Sequence, residues 1–380
     1  MKDQFLLDPQ VVYLNHGSFG ATPKPVFERY QFWQRELERQ PVDFLGRRAP
    51  TLLHEAREKL ALFLNAGTEN IVYMTNVTFA INAVARSLKL SAGDEVLAST
   101  HEYGAMNRTW LFLSRKQGFQ YINIPISLPV TTSDRYIDDL WQHVTEHTRV
   151  IYLSHISSPT SIIAPVKEIC RKARSQGILT VIDGAHAPGQ IDLDLLDLEV
   201  DFYGGNLHKW LCAPKGAGFL YAAPQVQNLL EPLIVSFGWE SDLPNPMHLV
   251  SYYEYMGTRD YAAFLAVPDA IDFQHTHNWA QVRKRCHSMA RDCLLQFTQL
   301  TGEVPLYDPQ SDWYAQMVTI PLPRSIDLDR FRSSLINDFH IVVPVSTWND
   351  HPHIRVSFQA YNTLKDLETL VTALRRELSL

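Results

Sequence analysis

The sequence is poor in cysteine, lacks long apolar runs and has no excess of basic charge. Its 380 residues include four cysteines (Cys170, Cys212, Cys286 and Cys293) without CxxC spacing, so reduced thiols are expected rather than a disulfide framework. No apolar run approaches the roughly 20 residues of a membrane span, and the N-terminal residues contain no apolar signal segment. The net charge is −7 with scattered Lys and Arg, which argues against nucleic-acid or membrane partners. A cytoplasmic location is therefore expected.

The pattern of apolar residues predicts an α/β domain. The chain is 46% hydrophobic and 20% charged, as in ordinary globular proteins. Short apolar runs alternate with segments of helical periodicity, and the runs at 150–153 and 178–182 are apolar throughout. Such runs are typical of strands that helices cover on both faces. We expect a mostly parallel sheet in a large domain from about residue 18 to residue 258.

The pattern changes after residue 258. Two long helices are predicted over 261–300, followed by a strand, a helix, two short strands and a final helix. Thr363 and Asp366 have the spacing of a capping box at the start of that last helix. These elements predict a smaller α+β domain formed by residues 259–380, joined by residues 1–17.

Reactive side chains follow several of the predicted strands. In open parallel sheets, ligands bind outside the carboxyl ends of the strands, so these residues should meet at one edge. They are Thr75 to Thr78, His101 to Tyr103, His155, Ser158, Asp183, His186, Asn206, His208 and Lys209.

A lysine and an aspartate delivered to one crevice favour pyridoxal phosphate over other cofactors. This cofactor needs a lysine amine for its Schiff base and a carboxylate against its pyridine nitrogen. Lys209 and Asp183 supply these groups. The helix start "TNVTFAIN" would bind the phosphate through backbone N–H groups and the Thr78 hydroxyl.

Each of these residues also has an ordinary interpretation when taken alone. Lys209 could be a surface lysine in a turn, and Asp183 could cap the next segment. His186 and His208 could be hydrogen-bonded histidines without a catalytic role, and "TNVT" could begin an ordinary helix that binds no ligand. Their joint occurrence, each after a separate strand, favours the cofactor site.

Eight stretches carry a resemblance that spans nearly the whole chain. They are "YLNHGSFGATP", "TNVTFAINAV", "HEYGAMNRTW", "VIDGAHAPGQ", "DFYGGNLHKWLCAPKGAGFLY", "FGWE", "MGTRDYAAFLAV" and "IRVSFQAYNT". In this order they resemble the class V aminotransferase and cysteine desulfurase superfamily of fold-type I pyridoxal-phosphate enzymes, most closely the isopenicillin N epimerase-like branch. The resemblance implies the PLP-dependent transferase fold.

The resemblance implies a role for each matching residue around the cofactor ring. Lys209 would form the Schiff base and carry the proton at the substrate Cα, while Asp183 would pair with the pyridinium nitrogen. His186 would lie near the O3′ oxygen. Tyr103 falls where many relatives stack a histidine on the ring, and Ser158 where relatives often place an asparagine.

Further residues would bind the phosphate and the substrate. The phosphate-binding positions are Val77, Thr78, Asn206 and His208, together with Gly257 and Thr258, which would reach the phosphate of a neighbouring subunit. A homodimer with shared sites is therefore implied. Arg355 matches the arginine that binds the substrate α-carboxylate, a task that suits the guanidinium fork; alternatively, it is a surface arginine at a strand end.

The expected function is epimerisation of an amino acid, a small-molecule substrate, at Cα through an aldimine and a quinonoid. C–S lyase and aminotransferase reactions use the same cofactor motifs and stay open. The loop "HIVVPVSTWNDHP" before Arg355 lacks a cysteine, so persulfide-forming desulfuration is not expected. A binding protein without catalysis would not need Lys209, and a nucleotide-dependent oxidoreductase would need a GxGxxG motif that is missing after the first strand.

The residues that select the substrate are predicted only by region. They are placed in "RQPVDFLGRRAP", in "SFGWESDLPNPM" and in the loop before Arg355, with Trp239, Arg47 and Arg48 as candidates. The two histidines of "HPH" at 351–353 lack further ligands at metal spacing, so no metal site is predicted there.

Overall fold

A seven-stranded sheet forms the centre of the protein. The computed structural model describes residues 1–240 and 248–379. The strands are β1 (Val12–Tyr13), β2 (Ile71–Met74), β3 (Glu95–Ser99), β4 (Gln120–Ile124), β5 (Thr148–Ser154), β6 (Leu179–Gly184), β7 (Phe202–Asn206), β8 (Gly218–Ala222), β9 (Met317–Pro321), β10 (Ile341–Val342), β11 (Val345–Trp348) and β12 (His351–Ser357). The order across the large sheet is β2-β8-β7-β6-β5-β3-β4.

The direction of these strands determines where the reactive residues meet. Neighbours from β7 to β4 pair in parallel, whereas β8 runs antiparallel to both β7 and β2. Six strands therefore point the same way, and their carboxyl ends lie along one edge. Most residues of these strands are buried, because helices pack on the sheet and leave the apolar runs no solvated face. The predicted, mostly parallel α/β architecture is confirmed.

The helices connect the strands and enclose the sheet. They are α1 (Lys24–Arg39), α2 (Pro41–Asp43), α3 (Ala49–Phe63), α4 (Val77–Ser87), α5 (Gly104–Gln117), α6 (Ser133–Trp141), α7 (Val166–Ser175), α8 (Leu195–Leu198), α9 (His248–Glu254), α10 (Ala262–Leu265), α11 (Val267–Thr276), α12 (Trp279–Thr301), α13 (Leu328–Asn337) and α14 (Leu364–Glu377). A π-helix (Phe44–Arg48) precedes α3. Short 3₁₀ helices cover Lys2–Gln4, Thr68–Asn70 and Pro224–Leu229.

The C-terminal part contains an antiparallel sheet of its own. Its order is β11-β12-β9, and β1 from the N-terminal segment pairs in parallel with β10. The predicted capping box is present at α14, where the Thr363 N–H donates to the Asp366 carboxylate over 2.8 Å. The pairing of β1 fits the proposed joining of residues 1–17 to residues 259–380; the exact boundaries stay a prediction. None of the described helices is long and apolar enough to cross a membrane.

Candidate active site

A cavity of about 380 Å³ opens at the carboxyl edge of the large sheet. Its walls include most of the residues predicted for the cofactor and substrate: Val77, Thr78, Tyr103, Ser158, Asp183, His186, Asn206, His208, Lys209 and Arg355. Gly257 and Thr258 lie elsewhere, on a second cavity of about 250 Å³. The fold thus brings residues from five strand ends and the C-terminal sheet into one place.

Lys209 reaches this cavity from the turn after β7. Its neighbours Leu207 and Trp210 are fully buried, so the lysine follows the end of the sheet between two buried apolar side chains. Burial lowers the pKa of Lys209 to about 7, with a further lowering by the Arg355 charge and an opposing effect of Asp183. Near pH 7, Lys209 is therefore the neutral amine in a large fraction of the molecules. The neutral amine is the form that can attack a carbonyl or accept a proton.

Asp183 lies at the end of β6 and is held by two donors. The Tyr152 hydroxyl donates to Oδ2 over 3.2 Å, and the Ala185 N–H donates to Oδ1 over 2.9 Å. Burial raises the pKa of Asp183 above its ordinary value, so its ionised form gains from an adjacent cation. A protonated ring nitrogen is such a cation.

The N-terminus of α4 forms one wall of the cavity. Asn76 caps the helix by accepting from the Phe79 N–H over 2.9 Å, and Asn206 accepts from the Val77 N–H over 3.0 Å. Thr78 follows on the cavity wall. His208 is held by a 2.7 Å bond from its Nδ1 to the Ala217 carbonyl. Positive dipole ends and hydroxyls at a helix start suit a phosphate.

Arg355 enters the cavity from β12. Nη1 donates to the carbonyl and the hydroxyl of Ser158, both at 2.8 Å, and Nη2 donates to the Ser18 hydroxyl over 2.7 Å. Its buried Nε has no hydrogen-bond partner among residues 1–240 and 248–379. Burial lowers the pKa of Arg355 only to about 10, so the guanidinium stays charged at neutral pH. An oriented cation with unused donor capacity suits a carboxylate.

Several residues that support the site had no role predicted from the sequence. Glu102 is buried and accepts from the Ser99 hydroxyl and from both the N–H and hydroxyl of Ser154, over 2.6–2.7 Å. These bonds tie the loop that carries Tyr103 to the end of β5. The signal in the sequence was a carboxylate beside Tyr103 in "HEYGAM", shortly after an apolar run that predicts a buried strand.

The N-terminal motif "NHGSFG" also contacts the lysine, which the sequence did not reveal. His16 Nε2 lies 2.9 Å from the Lys209 carbonyl, and Nδ1 lies 2.9 Å from the Tyr361 hydroxyl. Gly20 approaches so closely that a Cβ there would lie 2.5 Å from the carbonyl oxygens of His208 and Lys209. This segment therefore supports the backbone of the reactive lysine.

Gly20→Ala is expected to weaken cofactor binding at least tenfold. The added methyl would overlap backbone atoms that cannot rotate away, so the Lys209 turn must move by several tenths of an ångström, enough to disturb a positioned reactant. The control is Gly46→Ala, because nothing lies within 4 Å of a Cβ at Gly46. Titration with pyridoxal phosphate, followed by absorbance, measures both variants. Equal affinities would contradict the proposed support.

Two of the three regions predicted to select the substrate contribute residues to the second cavity, whereas the loop before Arg355 does not line it. Leu45, Pro50 and Phe237 line it together with Gly257 and Thr258. The other candidates stand outside both cavities: Trp239 is half-exposed, Arg47 pairs with Asp43, and Arg48 pairs with Glu36. Residues 241–247 of "SFGWESDLPNPM" lie outside the described part of the chain.

No cysteine lines either of the two cavities formed by the described residues. All four cysteines are free and buried, and none lines the Lys209 cavity. His351 pairs with Glu303, while His353 Nδ1 donates to the His351 carbonyl over 2.8 Å. Within residues 1–240 and 248–379, no cluster of three His, Cys, Asp or Glu side chains could hold a metal ion.

Comparisons with known proteins agree with this geometry. The family model "Aminotransferase class-V" matches residues 12–370. The chain is 38% identical to isopenicillin N epimerase of Amycolatopsis lactamdurans, covering 98% of this chain and 97% of the relative. It is 28% identical to putative L-cysteine desulfhydrase 1 of Oryza sativa subsp. japonica, covering 96% and 83%.

The fold is also shared with solved structures. A structure of a C-DES mutant, with glycine covalently linked to its PLP cofactor, superposes with a TM-score of 0.87 at 21% identity, covering 98% of both chains. The amine, carboxylate and helix N-terminus of the cavity fit that cofactor. Fold and site together define a pyridoxal-phosphate-dependent enzyme of fold type I. The chain belongs to the class V aminotransferase family.

Proposed function

We propose that the protein is an isopenicillin N epimerase-like enzyme that inverts the configuration at Cα of an amino acid. The observation that carries the proposal is the placement of the depressed-pKa amine of Lys209 and the carboxylate-binding guanidinium of Arg355 on one cavity. The 38% identity to an epimerase over nearly the full length supports the choice among reactions.

Each residue has a defined task in this reaction. Bound pyridoxal phosphate supplies the electron sink for a bond that breaks at Cα. Arg355 binds the α-carboxylate, and Ser18 and Ser158 hold its guanidinium in orientation. Lys209, as the neutral amine, takes the Cα proton. Asp183 keeps its negative charge against the ring nitrogen.

Inversion also requires a proton donor on the second face of Cα. Tyr103 is our candidate, since it lines the cavity on the loop that Glu102 anchors and its side chain is about half exposed. A phenol at that point could donate a proton to the face opposite Lys209. This role and the cofactor contacts named above are proposals.

A C–S lyase is the second candidate, because desulfhydrase relatives match nearly the full chain at lower identity. The two reactions share the removal of the Cα proton and differ in the step that follows it. An epimerase returns a proton to Cα, whereas a lyase expels the β-substituent. The burial of all four cysteines supports neither a surface persulfide nor a mobile thiol nucleophile.

Incubation of the holoenzyme with amino acids and cysteine conjugates in deuterium oxide tests the proposal. Epimerisation predicts deuterium at Cα together with the opposite enantiomer, measured by mass spectrometry and chiral chromatography. Pyruvate with released thiol would establish the lyase, and a keto acid without β-loss would establish transamination. Either product as the main one would overturn the epimerase proposal.

We also propose a homodimer with shared active sites. Gly257 and Thr258 lie away from the Lys209 cavity, beside Phe237, which is 93% exposed. Val235, two residues before Phe237, is likewise exposed at 67%. An apolar patch of this kind is typical of a surface that another subunit covers. A second copy would bring its Gly257 and Thr258 toward the phosphate site.

Phe237→Asp is therefore expected to weaken self-association by about 100-fold or more. Each buried Phe contributes about 1.5–3 kcal/mol, and a two-fold symmetric interface counts it twice. Sedimentation across a concentration series measures the change, with exposed Leu364→Asp at the start of α14 as the control. A fully active wild-type monomer would contradict shared sites.

A further inference from the structure

His186 lies between two nitrogen atoms in the wall of the active-site cavity. Its Nε2 is 3.3 Å from the Lys209 amine, and its Nδ1 is 3.2 Å from the indole nitrogen of Trp210. His186 is buried, and Trp210 is fully buried. The imidazole therefore connects the reactive amine to the residue that follows it in sequence.

The indole determines which ring nitrogen carries the proton. An indole N–H can only donate, so Nδ1 of His186 must accept. A neutral imidazole has one donor and one acceptor nitrogen. The hydrogen must then be on Nε2, which faces Lys209.

The charges around His186 exclude its doubly protonated form. Lys209, Arg355 and His16 face it, and burial together with these groups lowers the pKa of His186 well below its ordinary value. The nearby Asp183 carboxylate raises the pKa of Lys209, but it is not among the groups that change the pKa of His186. The ring is thus neutral at physiological pH.

The indole is itself held in place. The Trp210 carbonyl accepts from Gln274 over 2.9 Å, and the ring of His16 packs 5.1 Å from the Trp210 ring. The His186 carbonyl accepts from Gln190 over 2.7 Å. Both partners of the indole–imidazole bond therefore have fixed backbones.

We propose that Trp210 is a positioning residue that holds the ring proton of His186 on Nε2, where it is directed at the Lys209 amine. A donor at this point hydrogen-bonds to a neutral amine and opposes an ammonium group, which has no lone pair to accept with. The tautomer therefore favours the reactive form of Lys209. The inference rests on the proposed function only in taking Lys209 as the reactive group.

Trp210→Phe is the direct test, with the pKa of Lys209 as the readout. Without the indole, the His186 proton can move to Nδ1, and Nε2 can then accept from the Lys209 ammonium. Hydrogen bonds to charged groups are strong, so we expect the pKa of Lys209 to rise by about one unit. Competitive acetylation of the full chain without cofactor, quantified by mass spectrometry of the Lys209 peptide, measures it independently of any catalytic reaction.

Two controls separate the tautomer from simple packing. Trp33→Phe removes another buried indole, which donates to the Leu265 carbonyl over 3.0 Å and lines no part of the Lys209 cavity; it should leave the pKa of Lys209 unchanged. In a His186→Leu background, Trp210→Phe should have no further effect, because leucine has no hydrogen-bonding atom to present to the Lys209 amine. An equal shift in both backgrounds would overturn the proposal.

A measurement on the unaltered protein covers the case in which Trp210→Phe does not fold. Nitrogen-15 spectra distinguish the two neutral imidazole tautomers, and His186→Gln identifies the signals of His186 by their loss. The expected result is a neutral ring protonated on Nε2. A ring protonated on Nδ1 would overturn the assignment.

Discussion

Lys209→Ala is expected to lower turnover by about 10³-fold or more. The variant loses the amine that links the cofactor and the base that moves the Cα proton, and general-base catalysis contributes about 10²–10⁴-fold even before covalent linkage is counted. No other lysine lines the cavity to replace it. Steady-state kinetics on the amino acid identified by the substrate panel measures the loss.

A second readout separates loss of linkage from loss of folding. Borohydride reduction of the wild-type holoenzyme should attach the cofactor to the peptide containing Lys209, and the same treatment of Lys209→Ala should attach none. Lys209→Arg should behave like the alanine variant, because it keeps a cation without a nucleophilic amine. Lys89→Ala, at an exposed lysine, should retain full activity. A Lys209→Ala enzyme that kept a tenth of wild-type turnover would refute the assignment.

Arg355→Lys is expected to lower kcat/KM for the amino acid by about 10²-fold or more while leaving cofactor binding intact. The guanidinium bonds to both Ser18 and Ser158 and still has a free donor face, whereas one ammonium cannot keep that orientation and bind a carboxylate at two points. Hydrogen bonds to charged groups contribute about 1.5–3 kcal/mol each, and two of them account for the expected change.

The pattern of kinetic change identifies the role of Arg355. A rise in KM for substrates with an α-carboxylate, with no such rise for the corresponding amino amides, would support carboxylate binding. Arg324→Ala is the control, because that arginine is on the surface of the same C-terminal part and donates to the Asp350 carbonyl. Unchanged kcat/KM in Arg355→Lys would remove Arg355 from the site.

Several elements of the fold were predictable because their signals are local. The apolar run at 150–153 falls within β5, the run at 178–182 begins one residue before β6, and Thr363 and Asp366 form the predicted capping box. The strands Gln120–Ile124 and Gly218–Ala222 were missed. The first has a partly exposed, mixed pattern, and the second follows the Lys209 turn without a separating helix.

Most residues on the wall of the Lys209 cavity could be predicted from the sequence, because they follow strand ends and the strands that carry them share one direction. Asp183 after β6 and Lys209 after β7 needed only that rule to be placed on one edge. The antiparallel β8 does not disturb this arrangement, because β2 runs antiparallel to β8 and therefore has the same direction as the other strands.

What the order of residues established about this protein is its class of fold and its cofactor, and it predicted Lys209 as the reactive lysine, since these depend on periodicity and on chemistry at strand ends. Only the tertiary structure decided the state of those groups. The Lys209 carbonyl meets His16 from 193 residues away, and Arg355 meets Ser18 from 337 residues away. Desolvation and hydrogen-bond direction arise from such distant contacts, so the lowered pKa of Lys209 and the proton position on His186 could not be obtained from any local pattern.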